Sequence, residues 1–78
     1  MALKRPLNPM PEDVAARLAE SGLEAAFAAR PDYQRNDYLG WIARARRPDT
    51  REKRIRQMLD ELAGGWLYMK MAWRTSRG

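Results

Sequence analysis

The chain has 78 residues, 15 Lys and Arg against 10 Asp and Glu for a formal net charge of +5, and neither Cys nor His. That length holds one domain, and the composition excludes disulfides and Cys or His zinc sites. A chain this small buries only about 60% of its unfolded surface, so a well packed helical core or self-association is what stabilises it.

The N-terminal stretch MALKRPLNPMPEDV contains a basic pair but no continuous apolar run, so it does not read as a leader. No stretch approaches the roughly 18–20 apolar residues that span a bilayer. A cytoplasmic protein with no integral membrane segment is the expectation. Pro6, Pro9 and Pro11 make residues 1–10 an extended arm. Pro11 then suits the first position of a helix, with Glu12 and Asp13 in its positive first turn and Val14 and Leu18 on one face. Ser21-Gly22 ends it. A second short helix, LEAAFAAR, presents Leu23, Ala26 and Phe27 and stops before Pro31.

Asp32 is the expected cap of a third helix from Tyr33 to about Arg46, where Tyr38, Trp41, Ile42 and Ala45 recur at helical spacing. Gly40 in its middle is read as room for a neighbouring helix. Pro48 is expected to end this helix, and Asp49 with Glu52 to form a capping box for the fourth, with Thr50 as a fallback cap. Ile55, Met58, Leu59 and Leu62 give the fourth helix its apolar stripe, Glu52–Arg56 and Arg56–Asp60 its outer ion pairs, and Gly64-Gly65 its end. These elements predict an all-α fold, a small bundle of about four short helices with an apolar C-terminal tail. Residues 11–65 form the domain and 66–78 the tail. The third and fourth helices pack as an antiparallel pair through Tyr38, Trp41, Ile42, Ile55, Met58, Leu59 and Leu62.

The tail carries Trp66, Tyr68, Met69, Met71 and Trp73, too apolar a set to be left in water. Alternation of Leu67, Met69, Met71 and Trp73 permits a strand, which on this reading lacks a partner within the chain and would pair with a second copy. The reading preferred is a tail packed on its own bundle or on a neighbour's. Trp66, Tyr68, Met69, Met71 and Trp73 are the candidate self-association residues, since aromatics and Met are enriched at interfaces.

Catalysis finds few groups. The usual imidazole base and thiolate nucleophile are missing. Every acid is read as capping or exposed, and Asp60 and Glu61, being adjacent, diverge on a helix. No catalytic residue, metal site or cofactor is predicted. Charge concentrates in residues 44–57, where seven bases face two acids. Arg44, Arg47, Arg51 and Arg54 are the candidate binding patch for carboxylates or phosphates. The favoured reading is plainer, a solvated face whose arginines satisfy carbonyls at the end of the third helix, with one lying on an indole face and any binding role secondary. Nucleic acid ranks behind a protein partner, because Glu52, Asp60 and Glu61 share the helix that would enter a groove and only Gln57 is of the base-reading type.

The run YLGWIARARRPDTREKRI, with PEDVAARLAESGLEAAF before it and MLDELAGG after it, resembles the YdeI/OmpD-associated family, also labelled bacteriocin-protection proteins. The shared features are the Pro11-Glu12-Asp13 helix start, Phe27 before a proline turn, Tyr38-Leu39-x-Trp41-Ile42, and the run from Ala45 through Arg47-Pro48-Asp49-Thr50-Arg51 to Arg54-Ile55. The resemblance covers roughly residues 10–65. It implies a small helical domain, here as a free-standing member, linked to resistance against bacteriocins or antimicrobial peptides and bringing no catalytic residues. The expected role is a non-enzymatic interaction module with a protein partner or a homodimer. The alternative is a nucleic-acid-binding protein using the Arg44–Arg56 cluster.

Overall fold

In the computed structural model, which describes residues 7–72, α1 (Glu12–Ser21) ends at Gly22 in the left-handed conformation, φ 68°. The Leu23 N–H reaches back to the Leu18 carbonyl at 2.9 Å and the Gly22 N–H to Ala19 at 3.2 Å. This paired closure is the Schellman arrangement, which favours glycine at the turn. Two segments follow, α2 (Glu24–Ala28) and α3 (Asp32–Ala43), and then the long α4 (Pro48–Gly64). Pro11 and Pro31 stand just outside α1 and α3, so Pro11 precedes the first helical residue and Asp32 is a first helical residue rather than a cap.

The joint between α3 and α4 corrects further expectations. The third helix stops at Ala43, short of Arg46, because the Ala45 N–H bonds to the Ile42 carbonyl at 3.1 Å and tightens the last turn. Pro48 opens α4 instead of closing α3. A proline suits that first position because its missing N–H has no helical acceptor there. The Asp49–Glu52 capping box does not form. Asp49 accepts from the adjacent Thr50 N–H at 2.9 Å, while Glu52 turns outward to Arg17 and Arg56. The box cannot form because α4 begins at Pro48, which places Asp49 and Glu52 inside the helix instead of at its cap and third position. Arg56, so engaged, does not pair with Asp60.

Val14, Leu18, Phe27, Tyr38, Leu39, Ile42, Ile55, Met58 and Leu62 form the buried core, with Trp41 and Leu59 packed at its margin. Hydrogen bonds between α3 and α4 join residue 38 to 61 and 41 to 54, with 42 close to 51, the descending register of an antiparallel pair. Gly40 is buried, but what approaches it is the N-terminal arm and not a helix. A Cβ there would lie 2.8 Å from Asn8 Nδ2. Asn8 in turn docks on α3, its backbone N–H donating to Asn36 Oδ1 at 2.7 Å and its amide to the Asn36 carbonyl at 3.2 Å.

The chain after α4 is the largest departure. Gly65 closes the helix at φ 83°, and β1 (Leu67–Tyr68) pairs antiparallel with β2 (Met71–Ala72). The tail strand therefore has its partner within the chain. Period-two alternation fails at Met69 and Lys70, which form the turn with φ of 51° and 66°. Trp73 lies outside the described residues.

Candidate functional site: the arginine joint and the hairpin

The first candidate surface is the arginine joint. Arg51 donates through Nε and Nη2 to the two carboxylate oxygens of Asp13, at 2.9 and 3.0 Å, and ties α4 to α1. Its Nη1 also points to the Ile42 carbonyl at 3.4 Å. Arg54 donates to the Trp41 carbonyl at 2.6 Å, and its guanidinium carbon lies 5.3 Å from the Trp41 ring centroid. Both arginines thus serve the negative dipole end of α3, Arg54 at a carbonyl with no backbone partner among the described residues and Arg51 as a second donor to the Ile42 carbonyl that already accepts from Ala45. Arg47 turns to Asp49 at 3.4 Å. Arg44 is exposed and, among the described residues, has no ion pair. Arg47, Arg51 and Arg54 consequently point to different acceptors and do not converge on one ligand.

The Arg51 guanidinium, chiefly through its hydrogen bonds and also through its charge, holds the Asp13 carboxyl below its ordinary value of 3.8 against an opposing effect of burial. A depressed carboxyl contributes stability that is present above its unfolded value and lost as pH falls through the folded one. Arg51→Ala is expected to raise the Asp13 value to the ordinary carboxylate range, read by NMR titration of its carboxyl carbon. The stability cost at neutral pH should stay under about 1 kcal/mol, because the pair is largely solvated. An unchanged Asp13 titration would show that the pair does not persist in solution.

The second candidate is built on Glu61, which is expected among the exposed acids but is only 2% exposed. Its Oε1 accepts from the Tyr38 hydroxyl at 2.5 Å and the Met69 N–H at 2.8 Å. Its Oε2 accepts from the Lys70 N–H at 2.8 Å and the Gln57 amide at 3.1 Å. A buried carboxylate needs such partners, since desolvation without them is costly. Burial and then the bond to Glu61 push the Tyr38 hydroxyl well above its ordinary value of 10.0. Two successive residues at positive φ aim their N–H groups inward to make an anion-binding nest, and here the anion is the chain's own side chain. Arg30, itself buried, donates to the Glu61 backbone carbonyl at 3.0 Å and to Gln34 Oε1 at 2.9 Å.

The same network seats the hairpin. Tyr68 meets Tyr38 and Tyr33 edge-on, with centroids 5.4 and 5.9 Å apart, and donates its hydroxyl to Asp37 at 2.6 Å. Of the candidate self-association residues, Tyr68 and Met69 therefore pack on the bundle, whereas Trp66 and Met71 are 59% and 60% exposed. Sequence reasoning missed Glu61, Arg30 and Gln34. For Glu61 a signal existed: it lies three residues after Met58 and six after Ile55, on the apolar stripe of α4. A charge on that stripe points to a buried polar contact.

Among the described residues, no group of three or more acids could hold a metal ion, and no helix is long and apolar enough to cross a membrane. A family model described as bacteriocin-protection, YdeI or OmpD-associated, matches residues 9–65, from the end of the arm to the glycine that closes α4. No curated protein and no solved structure matches the chain.

Proposed function

The chain belongs to the bacteriocin-protection, YdeI or OmpD-associated family, and from that premise we propose that it is a non-enzymatic interaction module that associates with a second copy of itself through the hairpin. One observation carries this reading: Trp66 and Met71 stand exposed on a hairpin whose turn is clamped by the Glu61 carboxylate. Side chains presented from an ordered segment lose less freedom on binding than those of a loose tail. Five of the ten acids lend support to the non-enzymatic part. Asp13, Asp32, Asp49, Glu52 and Glu61 are engaged by Arg51, Arg35, Arg47, Arg17 and the hairpin amides respectively. Such a module would serve bacteriocin protection by binding rather than by degrading a peptide.

Sedimentation equilibrium of the chain, from about 1 μM to about 1 mM, tests this. A concentration-dependent dimer is expected, with Trp66→Ala raising Kd at least about tenfold, as truncation of a central aromatic does. A wild-type monomer throughout that range, or a dimer indifferent to Trp66→Ala, overturns the reading.

A second reading rests on the exposure of Arg44, Arg46, Arg47 and Lys53, of which Arg44, Arg46 and Lys53 have no ion pair among the described residues. A polyanion such as nucleic acid would suit them. Anisotropy titrations of labelled DNA and RNA at about 50 and about 200 mM salt decide it, because phosphate binding weakens steeply with salt. Absence of binding at the lower salt removes it.

A further inference from the structure

An open cleft of about 410 Å³ lies where the end of α1, the start of α2 and the last turns of α4 meet. It is lined by the apolar Leu23, Leu59 and Ala63 together with Arg17, Ser21, Arg56 and Asp60. The exposed indole of Trp66 follows Ala63 by three residues, so a large apolar knob and an apolar hole share one end of the molecule. We propose that Trp66 of one copy inserts into this cleft on a second copy, in a reciprocal two-fold exchange. The proposal rests on the self-association reading above and says where on the second copy the hairpin goes.

Position favours reciprocity. A two-fold interface uses the same patch twice, so knob and hole must belong to one patch with the axis passing between them, which Trp66 and Ala63, three residues apart, allow. Chemistry favours the indole. Leu23, Leu59 and Ala63 offer apolar surface in the cleft, and Arg56, tied through Nε to Glu52 at 3.0 Å, keeps an exposed guanidinium in its lining. A guanidinium beside an arriving indole gains a cation–π contact. Charge is complementary as well. Arg56 pairs with Glu52 and not with Asp60, so Asp60 has no ion pair among the described residues. Lys70, on the turn of the hairpin, is exposed and its ammonium likewise has no ion pair there. A hairpin entering the cleft brings that ammonium toward the Asp60 carboxylate.

The test uses the full chain and two variants, Trp66→Ala and Ala63→Arg, each first shown by circular dichroism to keep its helix content. Ala63 is exposed on a helix and Arg is a good helix former, so the second variant blocks the cleft without touching the core. If it nevertheless lost helix, Ala63→Glu would replace it as the block. Sedimentation equilibrium is run on each variant alone and on their equimolar mixture. Trp66→Ala lacks both knobs and Ala63→Arg blocks both holes, so each alone should associate at least about tenfold more weakly than wild type. The mixed pair retains one knob facing one open hole, and the mixture should associate more tightly than either variant alone. An Ala63→Arg dimer as tight as wild type, or a mixture no tighter than its components, overturns the cleft assignment. The hairpin reading would survive that result provided Trp66→Ala still weakened the dimer. A monomeric wild type overturns both.

Discussion

Glu61→Ala should lower the free energy of unfolding by about 3–5 kcal/mol and release the hairpin from the bundle. The whole stability of a domain this size is about 4–12 kcal/mol, so the variant sits near the edge of folding. The magnitude comes from four donors losing one buried acceptor group, each unsatisfied buried donor costing about 1–3 kcal/mol, reduced where opening of the hairpin lets water in. The strained turn adds to the effect. Met69 and Lys70 both hold positive φ, a conformation that is uncommon for such side chains and costs about 1–3 kcal/mol each when nothing enforces it. Glu61→Gln is the informative companion. It keeps the shape but presents an NH2 where one oxygen stood. The Tyr38 hydroxyl or a turned Gln57 amide can accept from it, so one backbone N–H, that of Met69 or Lys70, faces another donor, and about 2 kcal/mol is expected to be lost. Urea unfolding gives the energies, and hydrogen exchange at the Met69 and Lys70 amides reads the clamp itself. Continued protection of those two amides in Glu61→Ala would show that Tyr68 packing holds the hairpin without the carboxylate.

Arg30→Met should cost about 2–4 kcal/mol, since its guanidinium is the buried donor that satisfies both Gln34 Oε1 and the Glu61 carbonyl. That carbonyl keeps the Gly65 N–H at 2.9 Å, so the Gln34 amide bears more of the loss. Gln34 is fully buried, and its Nε2 donates to the Tyr33 hydroxyl at 3.1 Å, which leaves it little freedom to turn toward water. Arg30→Lys should recover only part of the stability, because a single ammonium cannot present the two-pronged geometry that spans α3 and α4. The urea midpoint is the measurement, with the slope unchanged if the compactness of both states is unaffected. A neutral Arg30→Met would mean that apolar burial replaces the polar contacts at equal strength, as happens at some buried charged sites.

The arginine joint shows what a motif can and cannot convey. Arg47, Arg51 and Arg54 stand at spacings that allow convergence, and the same spacings allow the structural use observed. What separated the two was Asp13, 38 residues from Arg51. No local rule names that partner, because the distance between α1 and α4 is set by the packing of Val14, Leu18 and Ile55 between them. The cation–π use of Arg54 was legible in kind, since an arginine near an indole at an antiparallel joint has few better places to lie, but its identity among the arginines was not. Gly40 is a similar case. A glycine in mid-helix pointed to a close approach, and only the folded arm shows that Asn8, and not a helix, makes it.

The all-α class, the four helices and most of their ends follow from the residues read in order. Helical hydrogen bonds are local, and the prolines at 11, 31 and 48 and the glycines at 22 and 65 act on their immediate neighbours. The core follows in the same way, apart from its polar members, because apolar spacing along α1 and α4 reports which face is buried. The hairpin belongs to the tertiary structure. Met69-Lys70 is not the Asn-Gly type of pair that favours two positive φ angles. The turn exists because α4 carries a carboxylate into the core, where the Met69 and Lys70 N–H groups become its partners.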